Sequence, residues 1–145
     1  MEKRTIILIG GAPTAGKSTM AQLLSEHLKL PWISTDQIRE VMRTVAQRSD
    51  NPNLFTPEGY DTAEKFLTSF TAEEIADMEM KQAASVWPGV KKLIMDDYTW
   101  RDGFIIEGVN ITPRLVAEDC RKDLNIHSVF LVDENADRTR KVVYE

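Results

Sequence analysis

A single cysteine among 145 residues, Cys120, leaves no partner for an intramolecular disulfide, and no Cys/His spacing of the metal-binding kind accompanies it. Cys120 reads as a small, partly buried apolar residue on a helix rather than as a nucleophile. Basic residues are also scarce: 18 Lys and Arg against 23 Asp and Glu give a net charge of −5, with no basic patch. That balance argues against nucleic acid as the main partner, which would want a Lys/Arg-rich face. It leaves an anionic small ligand open, because a few local donors can hold one. Long apolar runs are missing too. The first, Ile6 to Ile9, stops at Gly10-Gly11, too short for an export core or a membrane span. It is read as the first strand of a cytoplasmic protein with no membrane contact. Repeats, low-complexity tracts and linkers are absent from the sequence. Residues 1–145 are therefore expected to form a single domain that buries roughly two-thirds of its unfolded surface.

What is present begins at Gly11. Residues Gly11 to Ser18 read G-A-P-T-A-G-K-S and satisfy G-x-x-x-x-G-K-[ST] at every fixed position. Before them, Thr5-Ile6-Ile7-Leu8-Ile9 is short, apolar and β-branched, as a buried strand is. After them, Met20, Leu23, Leu24 and Leu28 recur at helical spacing. Strand, glycine-bearing loop and helix together make an anion cradle. The loop N–H groups converge, and the helix N-terminus adds positive partial charge. The expected nucleotide contacts are Gly11, Thr14, Ala15, Gly16, Lys17, Ser18 and Thr19. Lys17 would reach the outer phosphates, and the Ser18 hydroxyl would ligate Mg²⁺.

The rest of the chain alternates strands and helices. A second strand is expected at Pro31–Thr35, then a helix from Asp36 or Gln37 to about Arg48 with Ile38, Val41, Met42 and Val45 on one face. Ser34 and Gln37 stand at capping-box spacing. Residues 54–101 read as a helical insertion between strands two and three. A short helix begins near Asp61 or Thr62 and ends near Ser69. A second starts at the Thr71/Glu74 capping box, is kinked or broken at Pro88-Gly89, and resumes to about Tyr98. Strand three is expected at Phe104–Val109, a short helix from Pro113 to about Cys120 or Arg121, and strand four at Ser128–Val132. A last helix is expected from Glu134 to Glu145. This order implies right-handed crossovers and a buried parallel sheet with helices on both faces.

In such a sheet, ligands sit beyond the carboxyl ends of the strands. The polar residues there are Asp36 and Arg39 after strand two, Glu107 at the end of strand three and Asp133 after strand four. Glu107 ends an apolar run, as a second Mg²⁺-coordinating carboxylate would; the other reading is a carboxylate satisfied by local backbone groups. The glycine after it allows another segment or a ligand to approach the backbone closely. Asp36 is a candidate general base for an acceptor hydroxyl, and equally a helix cap. Arg39, one turn on, is placed to hold an anionic acceptor, or else to sit in solvent. Arg43 continues that face, and Arg114 is a further candidate for holding an anion.

With these residues assembled, the chain resembles the P-loop small-molecule kinases. G-A-P-T-A-G-K-S-T-M resembles their first motif. S-T-D-Q-I-R-E-V-M-R is similar to the segment after strand two in archaeal-type 2-phosphoglycerate kinases and in nucleoside monophosphate kinases. F-I-I-E-G-V-N-I-T-P-R-L is similar to the I-I-E-G-V-x-x-x-P segment of the 2-phosphoglycerate kinase group. The resemblance implies a P-loop NTPase α/β three-layer sandwich with strand order 2-3-1-4, using ATP and Mg²⁺ on a small-molecule acceptor. Joined to the residue roles read above, it points to Lys17, Asp36 and Glu107 as catalytic, Ser18 and Glu107 for the metal, and Asp36, Arg39, Arg43 and Arg114 for the acceptor. It also implies an arginine-bearing lid, with Arg138 and Arg140 where it would begin, and a further strand beyond Glu145. Two other readings stay open: a toxin-like kinase of nucleotide sugars, and a nucleotide-binding regulatory module without phosphotransfer.

Overall fold

The computed structural model describes residues 3–96, 99–119 and 123–135. Four strands form one parallel sheet: β1 (Thr5–Gly11), β2 (Trp32–Ser34), β3 (Gly103–Glu107) and β4 (Asn125–Leu131), in the order β2-β3-β1-β4. Among the described residues five helices accompany them: α1 (Lys17–Leu28), α2 (Thr35–Val45), α3 (Ala63–Ser69), α4 (Ala72–Asp96) and α5 (Pro113–Asp119), with a 3₁₀ turn at Pro52–Phe55.

Alternation along the two central strands builds both cores. Ile6, Leu8, Phe104 and Ile106 turn to one face, where they meet Ile38 of α2, Val86, Trp87, Val90 and Ile94 of α4, and Val116 of α5. Ile9 and Ile105 turn to the other face, against Ala21 of α1 and Leu30. Every residue of β3 is buried. Fully burying each large apolar side chain contributes ~1.5–3 kcal/mol, so β1 and β3 anchor the three layers. The register carries the consequence for function. Ile9 pairs with Glu107 and Glu107 with Ser34, so the ends of β1, β3 and β2 lie in one row. The loops that follow them share one edge of the sheet.

Several expectations shift. Helix α4 does not break at Pro88-Gly89 but runs through both. Val86, Trp87 and Val90 are buried on either side of the proline, and this packing outweighs one lost backbone hydrogen bond. Strand β4 begins at Asn125, three residues early. Asn125, Ile126 and His127 pair with Thr5, Ile6 and Ile7, and Asn125 Nδ2 donates to Thr5 Oγ1 at 3.2 Å. As an edge strand with an exposed middle, β4 tolerates the polar residues that hid its start. Helix α2 ends at Val45 rather than near Arg48, and its Val41 and Val45 are 70% and 82% exposed. Only the Ile38–Met42 side of α2 joins the core. On α1, Leu23 and Leu28 are exposed and Ala21 takes the core position. Both expected capping boxes form: Ser34 with Gln37, and Thr71 with Glu74. The helix expected from Glu134 does not begin there, since Glu134 and Asn135 are not helical; the rest of it falls on 136–145, outside the described residues, as do Tyr98, Cys120, Arg121, Arg138 and Arg140.

Candidate active site

The loop after β1 turns at residues 12–16 and delivers the chain into α1. Gly16, the residue before the helix, has φ 94° in the left-handed region, a conformation that glycine adopts without strain. It gives α1 no side-chain cap, and the first turn of α1 holds no acidic residue. The end of α1 at the loop is therefore an uncapped, positively polarised terminus, as an anion site requires. Lys17 is buried at this turn and donates from Nζ to the Ala12 carbonyl at 2.6 Å, which holds its ammonium over the loop. Ser18 Oγ donates to Glu107 Oε1 at 3.1 Å, joining the first turn of α1 to the end of β3.

Glu107 is 3% exposed. Burial pushes its carboxyl above the ordinary range, against the hydrogen bond from Ser18 and the charge of Lys17. Burial likewise pulls the Lys17 ammonium down, while Glu107, Asp36 and Glu79 pull it back up. Lys17 thus stands amid three carboxylates drawn from β3, α2 and α4. Gly108 follows Glu107 with φ 152°, and a β-carbon there would overlap Thr35 Oγ1. The close approach read from Glu-Gly is thus made by the start of α2. This contact and the register of β2 bring Thr35 and Asp36 to the same edge as Glu107.

Asp36 is not the helix cap; Ser34 is. The Asp36 carboxylate is 66% exposed and lies 3.4 Å from Arg39 Nη2. Arg39 is 18% exposed, so it is no solvated surface arginine. It lines a pocket of about 170 Å³ with Glu79 and Gln82 of α4, Phe66 of α3, Met78 and Val109. Loss of hydration raises the Glu79 carboxyl, and the charge of Lys17 opposes that shift. The two other acceptor candidates are engaged elsewhere. Arg43 donates from Nε to the Leu54 carbonyl and from Nη1 to Glu40, and stacks on Phe55, fastening the 3₁₀ turn to α2. Arg114 is exposed on α5 and paired with Glu118 one turn on. Asp133 accepts from the Asn135 amide.

Sequence reasoning missed Glu79 and Gln82. A signal existed: both continue, at helical spacing, the stripe of Ala83, Val86, Val90 and Ile94, so polar residues stand where an apolar face is expected. Elsewhere, an apolar crevice lined by Leu8, Trp87, Val116 and Ile126 has room for about 10 Å³, at most a water molecule. Among the described residues, no cluster of three or more His, Cys, Asp or Glu side chains could hold a metal alone, and no helix is long and apolar enough to cross a membrane.

Comparison with known proteins adds relatives to this geometry. The 2-phosphoglycerate kinase of Methanococcus vannielii is 36% identical over 128 residues, which cover 83% of this chain and 40% of that protein. Proteins of the same name from Methanocaldococcus jannaschii and Methanothermobacter thermautotrophicus are each 34% identical, over 128 and 141 residues, covering 88% and 93% of this chain. The chain spans 40% and 45% of their lengths, less than half of each. A model of the chloramphenicol phosphotransferase-like proteins matches residues 4–132, from just before β1 to just past β4. That span takes in all four strands together with the phosphate loop, Asp36 and Glu107, and by it the chain belongs to the chloramphenicol phosphotransferase-like family.

Proposed function

We propose that the chain transfers the γ-phosphate of ATP to a hydroxyl of a small anionic acceptor, for which 2-phosphoglycerate is the model. The observation that carries this reading is the contact of Ser18 Oγ with Glu107 Oε1, set beside buried Lys17 on the sheet edge that also bears Asp36. The names of the archaeal relatives support the acceptor class.

Lys17 and the backbone N–H groups of the loop hold the β- and γ-phosphates. Ser18 and Glu107 offer hydroxyl and carboxylate oxygens, the hard donors that would hold Mg²⁺. When bound, Mg²⁺ supplies charge neutralisation at the transferring phosphate. The acceptor lies in the pocket between α2 and α4, its anionic group on Arg39. The acceptor oxygen attacks the γ-phosphorus, the bond to the β,γ-bridging oxygen breaks, and ADP leaves. The hydroxyl proton passes to Asp36 Oδ, which is exposed and free of cap duty.

A coupled ADP-release assay over phosphorylated and uncharged hydroxy acceptors tests the proposal. Asp36→Asn is expected to lower kcat by roughly 10²–10⁴-fold while leaving ATP affinity within about twofold. Acceptor-independent ADP release that Asp36→Asn leaves untouched would overturn it.

A further inference from the structure

Behind Arg39 lies a chain of side-chain amides with no part in the steps above. Arg39 Nη1 donates to Gln82 Oε1 at 2.9 Å, and Asn110 Nδ2 donates to the same oxygen at 3.3 Å. Gln82 Nε2 donates to the Thr56 carbonyl. Four separate segments meet here: α2, α4, the end of the 3₁₀ turn and the loop after β3. Gln82 and Asn110 are both buried, Asn110 to 1% exposure.

The amide orientations are chemically forced. A guanidinium only donates and a carbonyl only accepts, so Gln82 must turn Oε1 to Arg39 and Nε2 to Thr56. Asn110 must then turn Nδ2 to Gln82, which leaves its own Oδ1 buried without a hydrogen bond. Arg39 Nε is buried without one too, its nearest carboxylate oxygen being Glu40 Oε1 at 3.7 Å. A network that strands two polar atoms is a poor device for stabilising a core, where an apolar residue at 82 would extend the stripe of α4. It is well suited to aiming a charged fork. Nη1 is hydrogen-bonded to Gln82 on the buried side, while Nη2 faces the exposed Asp36 carboxylate at 3.4 Å, so the buried side sets the guanidinium plane.

We infer that Gln82 is a positioning residue: anchored by Thr56 and Asn110, it fixes the guanidinium plane of Arg39 against the acceptor pocket and thereby sets affinity for the acceptor's anionic group. The inference rests on the proposed acceptor role of Arg39. It also ties acceptor affinity to the placement of α4, because any shift of that helix moves Gln82 and with it Arg39.

The test uses the full chain, with Gln82→Leu and Gln82→Glu and with 2-phosphoglycerate as the probe. Gln82→Leu removes all three side-chain hydrogen bonds, and is expected to raise KM for the probe about tenfold, with kcat and ATP affinity within about threefold. A fall in kcat at constant KM overturns the inference. A second readout needs no turnover. Nitrogen-15 spectra of Arg39 are expected to show slow guanidinium rotation in the parent protein and fast rotation in Gln82→Leu. Gln82→Glu keeps an acceptor for Arg39 Nη1 while giving up the donor to the Thr56 carbonyl; slow rotation kept there and lost in Gln82→Leu is the expected pattern, and it separates the hold on Arg39 from a folding defect. Unchanged rotation in Gln82→Leu overturns the inference even in an active enzyme. A parent protein with no acceptor-dependent turnover instead defeats the proposed function, and the rotation measurement then decides whether Gln82 holds Arg39.

Discussion

Lys17 and Glu107 are opposite charges in a place where neither is well hydrated. Burial pushes each toward its neutral form, and each partly restores the other. Such a pair contributes little to folding, because desolvation offsets most of the attraction. Its value lies in the ligand it can hold. Asp119 is the contrast. Hydrogen bonds from Lys91 and then from Trp87 hold its carboxyl below the ordinary value of 3.8. The native state therefore releases this proton more readily than the unfolded chain. The stability it contributes is complete above the unfolded value and is lost as pH falls through the depressed native one. Denaturation midpoints followed from pH 5 to pH 2 are expected to fall less steeply in Asp119→Asn than in the parent. Equal slopes would mean that the Trp87–Asp119–Lys91 contacts add nothing to the acid limb.

Two glycines set how closely the elements around the cleft approach. At Gly108 the backbone is in the left-handed region, and a β-carbon would overlap Thr35, a fully buried residue with no room to retreat. Gly108→Ala is expected to cost about 2 kcal/mol or more, read from urea denaturation. At Gly89 a β-carbon would come within 2.7 Å of Met42 Sδ and 2.9 Å of Ile38 Cγ2, so α2 lies directly on α4 there. Gly89→Ala gains helix propensity but overpacks this contact, for a net loss of about 1 kcal/mol. Since Met42 is the flexible neighbour, Met42→Ala in the same chain should return part of that loss, with a coupling of roughly 0.5 kcal/mol or more. Strict additivity would show that the helices do not press on each other at Gly89. What could be read from the sequence divides along the same line. The phosphate loop, both capping boxes and the Glu107 strand end are local patterns, and the chain displays them within a few residues. The continuity of α4 through Pro88, the polar start of β4, and the placing of Glu79 and Gln82 at the cleft depend on partners tens of residues away. Gln82 meets Arg39 across 43 positions; periodicity marks it as a polar residue in an apolar stripe but does not name its partner.

Across the whole molecule the phosphate loop and the acceptor pocket are separable. The loop is carried by β1 and α1 on one face, while α2, α3 and α4 wall the pocket. Ligand-linked stability can tell them apart without turnover. A ligand at one hundred times its Kd adds about 2.7 kcal/mol to the native state, roughly 5–11 °C in melting temperature for a chain near this size. Nucleotide triphosphate with Mg²⁺ is expected to produce that shift in the parent protein. Lys17→Ala should abolish it, because the lysine that the structure places at the cradle is gone. Asp36→Asn and Gln82→Leu should keep it, because both lie on the acceptor side. An acceptor added with the nonhydrolysable nucleotide should raise the melting temperature further in the parent and much less in Gln82→Leu. If Lys17→Ala melted at the parent's temperature with nucleotide present, the loop would not be the binding site and every assignment made from it would fall. If instead the nucleotide shift survived and the acceptor shift failed in all variants alike, the loop would stand and the pocket between α2 and α4 would lose its acceptor.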